Sequence, residues 1–174
     1  LLAFTSSFVR ILVNYYWYTE DARAPIVFWV PLRTRLLLFI AGFALAGLAV
    51  FISGRKALEA LASVERSAWL HAPYATALLQ WANQIGRRVL NLLTLIFGFL
   101  FGLSLASQWE SFLLYLHATP FGRNDPIFQN YFSFYVFRLP FLKAATDFLF
   151  AVWFVSGLIS VGAYTAVRGF SLLA

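Results

Sequence analysis

The sequence predicts an all-α membrane protein with three to four transmembrane helices, and the main reason is a set of three uncharged stretches. They are LLLFIAGFALAGLAVFISG between Arg35 and Arg55, VLNLLTLIFGFLFGLSLASQW between Arg88 and Glu110, and FLFAVWFVSGLISVGAYTAV between Asp147 and Arg168. A hydrocarbon layer about 30 Å thick takes roughly 20 helical residues to cross. Helices also satisfy their own backbone groups in lipid. Each stretch has this length, so each predicts a span.

Composition supports a single membrane domain. Hydrophobic residues make up 61% of the 174 residues and charged residues only 11%, whereas soluble domains carry about 25% charged residues. The absence of cysteine excludes disulfides, thiolate metal sites and a cysteine nucleophile. Methionine is also absent, and LLAFTSS already has the pattern of a helix interior. We therefore expect residues 1–174 to form one helical domain that is a fragment of a longer chain.

The first span is expected at about residues 1–19 and has the weakest pattern. Arg10 and Asn14 interrupt its apolar residues, and a charge inside a membrane is costly unless it is paired or reaches the interface. Two interpretations remain open: an incomplete span with Arg10 near one surface, or a buried charge with a partner. The aromatic run YYWY at 15–18 is typical of the membrane–water boundary.

The second span is expected at about 36–54, with Pro31 marking the start of its helix. Gly42 and Ala46 give this helix a small face that suits close packing. The segment KALEALASVERSAWL follows, with apolar residues at helical spacing and charges on the other side. This pattern predicts either an interfacial helix or a helix packed on the rest of the protein.

The third and fourth spans are expected at about 89–109 and 148–167. The third contains Gly98 and Gly102, four residues apart, with Ala106 one turn further on. Glycines at this spacing let two helix backbones approach closely. We therefore predict a helix–helix contact at these residues, either within the chain or with another chain.

The segment between these two spans is rich in aromatic and turn-forming residues, and we predict an aromatic-rich loop. FGRNDPIF at 121–128 contains two turn signals, Phe-Gly and Asp-Pro. FSFYVF at 132–137 predicts a short strand or an interfacial segment, and the proline at 140 suits the first turn of a helix. The motif residues of this loop are Phe121, Gly122, Asp125, Pro126, Phe128, Tyr135, Phe137, Leu139 and Pro140.

Together, FGRNDPIF and FSFYVFRLPF resemble the motif of the bacterial uncharacterised protein family 0182, and Trp109-Glu110 upstream fits the same pattern. The resemblance implies the N-terminal membrane part of a large protein in which several spans precede a bulky soluble region. The chain departs from the family pattern at Gln129 and Tyr131, where glycine and aspartate are usual. Because the family has no established activity, the resemblance implies architecture more than function.

The residues offer little chemistry. Paired carboxylates are missing from the spans, and His71 and His117 stand 46 residues apart, which does not suit a zinc site. Either histidine is a candidate axial ligand for a haem or chlorin-type pigment, although ordinary polar histidines explain the pattern more simply. The basic residues lie at helix ends rather than in one patch, which speaks against nucleic-acid binding. We expect no catalytic residue and no metal site.

The leading hypothesis is a non-catalytic, multi-pass subunit of the bacterial cytoplasmic membrane. It would have a structural or accessory role in a larger complex, by analogy an energy-converting or photosynthetic one. Its partners would be membrane lipids and other transmembrane subunits; no cofactor is required, and a bound lipid or pigment is compatible. The alternative is part of a transporter or channel, with a wet cavity lined by Arg10 and Asn14. A third hypothesis is an enzyme that acts on lipid through Glu110 and Asp125.

Overall fold

Helices make up nearly all of the chain that the computed structural model describes, which covers residues 9, 12–21, 25–68, 73–119, 122 and 131–172. The helices are α1 Pro25–Ala68, α2 Pro73–Ala106, α3 Trp109–Leu116 and α4 Leu139–Leu172, with π-helical turns at Trp17–Asp21 and Phe134–Arg138. Within these described residues, three stretches are long and apolar enough to cross a membrane: Ile26–Glu59, Gln84–Ala106 and Phe134–Gly162. The predicted all-α class is confirmed. Much of the proposed first span, 1–19, lies outside the described residues.

Helices α1 and α2 form an antiparallel hairpin. Gly42 near the middle of α1 lies against Gly102 near the end of α2, whereas Gly54 further along α1 lies against Leu90 nearer the start of α2. Residue numbers therefore rise along one helix as they fall along the other. Small residues at these points let the two backbones approach closely.

Helix α4 completes the bundle by packing mainly against α1. The buried core contains residues from all three long helices: Leu38, Ala46, Leu105, Phe148 and Val152. Phe101 of α2 and Phe148 of α4 meet edge to face, with ring centroids 5.7 Å apart, a preferred arrangement for aromatic pairs. Phe112 of α3 meets Phe141 at the start of α4, so α4 runs antiparallel to α2 and in the same direction as α1.

The start of α1 differs from the prediction. The helix begins at Pro25, so Pro31 lies inside it rather than at its start. Proline at the first position of a helix costs nothing, because that N–H has no helical partner. An interior proline removes one backbone hydrogen bond, and apolar membrane helices tolerate this loss better than soluble ones. Both Pro25 and Pro31 lie shortly before Arg33 and Arg35. The prediction took the second proline as the start of the helix, whereas the first one is the start.

The segment after the second predicted span is not a separate helix. Helix α1 continues without a break through Gly54 to Ala68 and is 44 residues long. Residues 55–68 contain only good or moderate helix formers such as lysine, glutamate, alanine and leucine, with no proline or glycine to stop the helix. At about 1.5 Å per residue, α1 is roughly twice as long as a hydrocarbon layer is thick.

The aromatic segment before α4 is helical, so the strand alternative is wrong. Phe134–Arg138 forms a π-helical turn in which the N–H of Leu139 donates to the carbonyl of Phe134. An isolated strand beside apolar helices would leave its backbone groups unpaired, whereas a helical turn pairs them internally. The wider π turn also lies directly before Pro140, which cannot donate a hydrogen bond of its own.

Candidate functional site

The two glycines predicted to mark a packing face lie between α1 and α2. A Cβ placed on Gly98 would lie 3.2 Å from the ring of Phe43, and one on Gly102 would lie 2.9 Å from the carbonyl oxygen of Phe39. These distances leave no room for a larger side chain without a shift of the neighbouring helix. The structure therefore places this glycine pair in a contact within the chain.

The other predicted packing residues lie along the same hairpin. A Cβ on Gly42 would lie 3.0 Å from the carbonyl oxygen of Phe101 and 3.0 Å from the Cβ of Leu105. Ala46 is completely buried. Ala106, the last residue of α2, is half-buried. Four of the five predicted small residues are therefore buried between helices.

Sequence reasoning missed the large residues that fill the space over the glycines. Phe39 and Phe43 are four residues apart on α1, and their rings contact Gly102 and Gly98 on α2. Large side chains on one helix thus match glycines at the same spacing on its neighbour. That complementary spacing was the signal available in the sequence. The pairs Gly54 with Leu90 and Gly86 with Leu58 were missed as well.

At one end of the hairpin, an arginine and several aromatic rings join three helices. The guanidinium carbon of Arg35 on α1 lies 4.5 Å from the ring centroid of Trp109 on α3, within the range of a cation–π interaction. The ring of Phe141 on α4 lies 5.1 Å from that of Phe112 and 5.4 Å from that of Tyr115. Trp109 of the Trp109-Glu110 pair thus helps to pack α3 against α1.

Part of the motif loop is described. Gly122 has a φ of +71°, a left-handed conformation that glycine adopts without strain, as suits the predicted turn. Tyr135 and Phe137 are half-buried in the π-helical turn, and Leu139 and Pro140 are exposed at the start of α4. The remaining motif residues, Phe121, Asp125, Pro126 and Phe128, lie outside the described residues.

Of the two candidate ligand histidines, only His117 lies in the part of the chain that the structure describes. His117 is exposed just after α3, and its Nδ1 lies 3.0 Å from the carbonyl oxygen of Leu113. His71 and Arg10 lie outside the described ranges, and Asn14 is exposed. Among the residues that the structure describes, no three histidine, aspartate or glutamate side chains form a metal-binding group. What the described arrangement provides is helix packing.

Comparison with known proteins extends the resemblance to nearly the whole chain. The family model of the Uncharacterised protein family (UPF0182) matches residues 1–173. A UPF0182 protein of Arthrobacter sp. (strain FB24) is 34% identical over 160 residues, which is 88% of this chain and 15% of that protein. A UPF0182 protein of Methanospirillum hungatei JF-1 is 32% identical over 162 residues, which is 91% of this chain and 16% of that protein.

A more distant relative still covers the chain. The UPF0182 protein of Trichodesmium erythraeum (strain IMS101) is 27% identical over 169 residues, 97% of this chain and 18% of that protein. No solved structure matches the chain. The chain spans about 15% of the length of the first relatives that it matches. It belongs to the uncharacterised protein family UPF0182 and corresponds to a part of that family's larger proteins.

Proposed function

We propose that this chain is a non-catalytic helical bundle in the bacterial cytoplasmic membrane, with α1, α2 and α4 each crossing the membrane. We further propose that other transmembrane helices pack against α4. The observation that carries the proposal is the difference in burial among the three helices. In the most apolar part of the stretch that includes α4, only 6% of the residues are buried within the molecule, against 28% in the corresponding part of α1 and 22% in that of α2. Of the three long helices, α4 thus has the smallest share of buried residues in its apolar part.

The outward surface of α4 has the shape that membrane helices use to associate. Large side chains such as Trp153, Leu158 and Val161 are exposed on it, and nothing lies within 4 Å of a Cβ placed on Gly157. Between helices in lipid there is no hydrophobic driving force, so association depends on close packing at small residues. Gly157 beside bulky neighbours offers such a notch.

We propose a structural or accessory role because the chain is only a part of the longer relatives that it matches. The relatives are several times longer than the chain, so further membrane helices of the same protein, or of another subunit, are the partners we propose. The role requires no cofactor, and a lipid or pigment bound beside α4 is compatible with it. Charged residues border the apolar stretches, among them Arg35, Arg55 and Arg88, as is usual at membrane surfaces.

The proposal is tested by Gly157→Leu in the protein expressed at its full natural length in its own membrane. Leucine would fill the notch. If the partner helices belong to another subunit, we expect the assembly to migrate as a smaller species on native gels, and if they belong to the same protein, we expect it to unfold at a lower denaturant concentration. Ala41→Leu is the matched control, because Ala41 is an exposed small residue on α1. If both variants assemble and unfold like the wild type, α4 is not the docking face.

A further inference from the structure

A polar cleft lies between α1 and α2, further along the hairpin from Trp109 than the Gly98 and Gly102 contacts. Its volume is about 370 Å³, within the range of roughly 300–1,000 Å³ that is usual for small-molecule sites. Its lining residues are Phe51, Arg55, Leu58, Glu59, Arg87, Leu90 and Asn91. Both helices therefore contribute an arginine and at least one apolar side chain to the same space.

The two arginines are available to a ligand. Arg55 Nη2 lies 3.7 Å from Glu59 Oε1, with both side chains largely exposed at 61% and 70%, and an ion pair of this length and exposure is weak. Arg55 also lies over the ring of Phe51, 5.7 Å from its centroid. Within the described part of the chain, no hydrogen bond or ion pair holds the side chains of Arg87 and Asn91. Among the lining residues that the structure describes, Glu59 is the one acidic residue.

The position of the cleft suits a molecule with a charged head and an apolar tail. Arg55 and Arg88 bound the uncharged stretches of α1 and α2, so the cleft lies where these stretches end. Both helices continue beyond it, α1 to Ala68 and α2 back to Pro73. Phe51 and Leu90 extend the lining toward the apolar side, while the two guanidinium groups lie at the border.

We propose that this cleft binds the phosphate group of an anionic phospholipid, with Arg55 and Arg87 contacting the phosphate and Asn91 donating a further hydrogen bond. Guanidinium groups bind phosphate oxygens through paired, charge-assisted hydrogen bonds. The acyl chains would lie along Phe51 and Leu90. Lipid binding here rests on the membrane location proposed above, but it does not require α4 to be a docking face.

The test is lipid binding by the full-length protein, purified in mild detergent and titrated with phosphatidylglycerol or phosphatidylcholine, with bound lipid counted by native mass spectrometry. We expect a preference for phosphatidylglycerol. Because each arginine supplies charge-assisted hydrogen bonds, R55Q/R87Q should weaken phosphatidylglycerol binding by roughly tenfold or more. The control R33Q/R138Q removes the same charge from exposed arginines outside the cleft lining and should leave binding unchanged.

A variant that is expected to strengthen lipid binding distinguishes a loss of binding from a loss of folding. E59Q removes the acidic side chain beside Arg55, so it should tighten phosphatidylglycerol binding, an effect that a poorly folded protein does not produce. Inorganic phosphate at millimolar concentration identifies the source of the phosphate group: weak competition supports a lipid, whereas tight phosphate binding without lipid preference overturns the lipid assignment. Equal binding of the two lipids, or R55Q/R87Q behaving like R33Q/R138Q, also overturns the proposal.

Discussion

At the scale of single residues, the contact between Gly102 and Phe39 sets how closely α1 and α2 approach. The space above Gly102 is occupied both by the carbonyl oxygen of Phe39, 2.9 Å from an added Cβ, and by its ring at 3.0 Å. A ring alone could rotate away at low cost, but a helix backbone moves only together with its helix. Because of this backbone contact, Gly102 tolerates an added side chain less well than Gly98 does.

We accordingly expect Gly102→Ala to lower the free energy of unfolding by about 1–3 kcal/mol, the usual cost of adding a methyl group to a filled interface. Gly162→Ala is the control: its added Cβ meets nothing within 4 Å, and alanine is the better helix former, so this variant should be unchanged or more stable by up to about 1 kcal/mol. Denaturant unfolding in detergent measures both. Equal stabilities for the two variants would mean that the α1–α2 interface is looser than described.

The arginine that contacts Trp109 gives a second residue-scale prediction. Replacing Arg35 by glutamine removes the cation–π interaction at 4.5 Å, which is worth roughly 0.5–1 kcal/mol at an exposed site. Arg33→Gln is the matched control, since Arg33 lies 6.0 Å from the ring of Trp29 in its own helix. We expect Arg35→Gln to destabilise the bundle more than Arg33→Gln in the same unfolding measurement. The reverse order would contradict the role given to Trp109.

At the scale of elements, the α1–α2 hairpin has a defined antiparallel register. A Cβ on Gly47 would lie 3.8 Å from the Cγ2 of Thr94, so the side chains at these two positions face each other across the interface. The chain contains no cysteine of its own, so introduced pairs within it are free of native competitors. Register is thus open to direct chemical measurement.

We expect the pair Gly47→Cys with Thr94→Cys to form a disulfide under mild oxidation, because the two positions face each other. Gly47→Cys with Leu95→Cys should not cross-link, since Leu95 is 57% exposed and points away from the interface. Gel mobility after protease cleavage between the helices distinguishes the two. Efficient cross-linking of the second pair alone would show that the register is shifted by one residue.

The apolar helices could be predicted from the sequence, but the residues at which they begin and end could not. Stretches without charge gave the three apolar segments, because the length of a span follows from the thickness of the membrane. The ends were harder to place: Pro31 looked like a start, yet α1 begins at Pro25. Residues 56–68 had an amphipathic pattern, but local periodicity does not reveal that a helix simply continues.

The candidate site was predictable in part for a related reason. Spacing alone singled out Gly98 and Gly102, but it contains no information about which helix lies over them; Phe39 and Phe43 became their neighbours only through the tertiary fold. The cleft between Arg55 and Arg87 was hidden in the same way, because 32 positions separate residues that the hairpin brings to one place. A single sequence does not show which distant segments come into contact.

At the scale of the whole molecule, the exposed surface of the spans is apolar on all three long helices. Leu45 on α1, Leu100 on α2 and Trp153 on α4 are each more than half exposed, at 51%, 55% and 69%. Large continuous apolar surfaces of this kind are rare on soluble monomers, whereas in lipid they have no cost. We therefore expect lipid or other transmembrane helices to surround the bundle.

The most direct test of this claim is the accessibility of spin labels placed on the outer surface of the protein in lipid bilayers. Labels at Leu45, Leu100 and Trp153 should collide readily with oxygen, which concentrates in the hydrocarbon, and rarely with a water-soluble nickel chelate. Labels at Glu20 and His117, which are exposed and lie outside the three apolar stretches, should show the opposite preference. If nickel reached Leu45, Leu100 and Trp153 as readily as Glu20 and His117, water would surround the helices and the membrane location would be wrong.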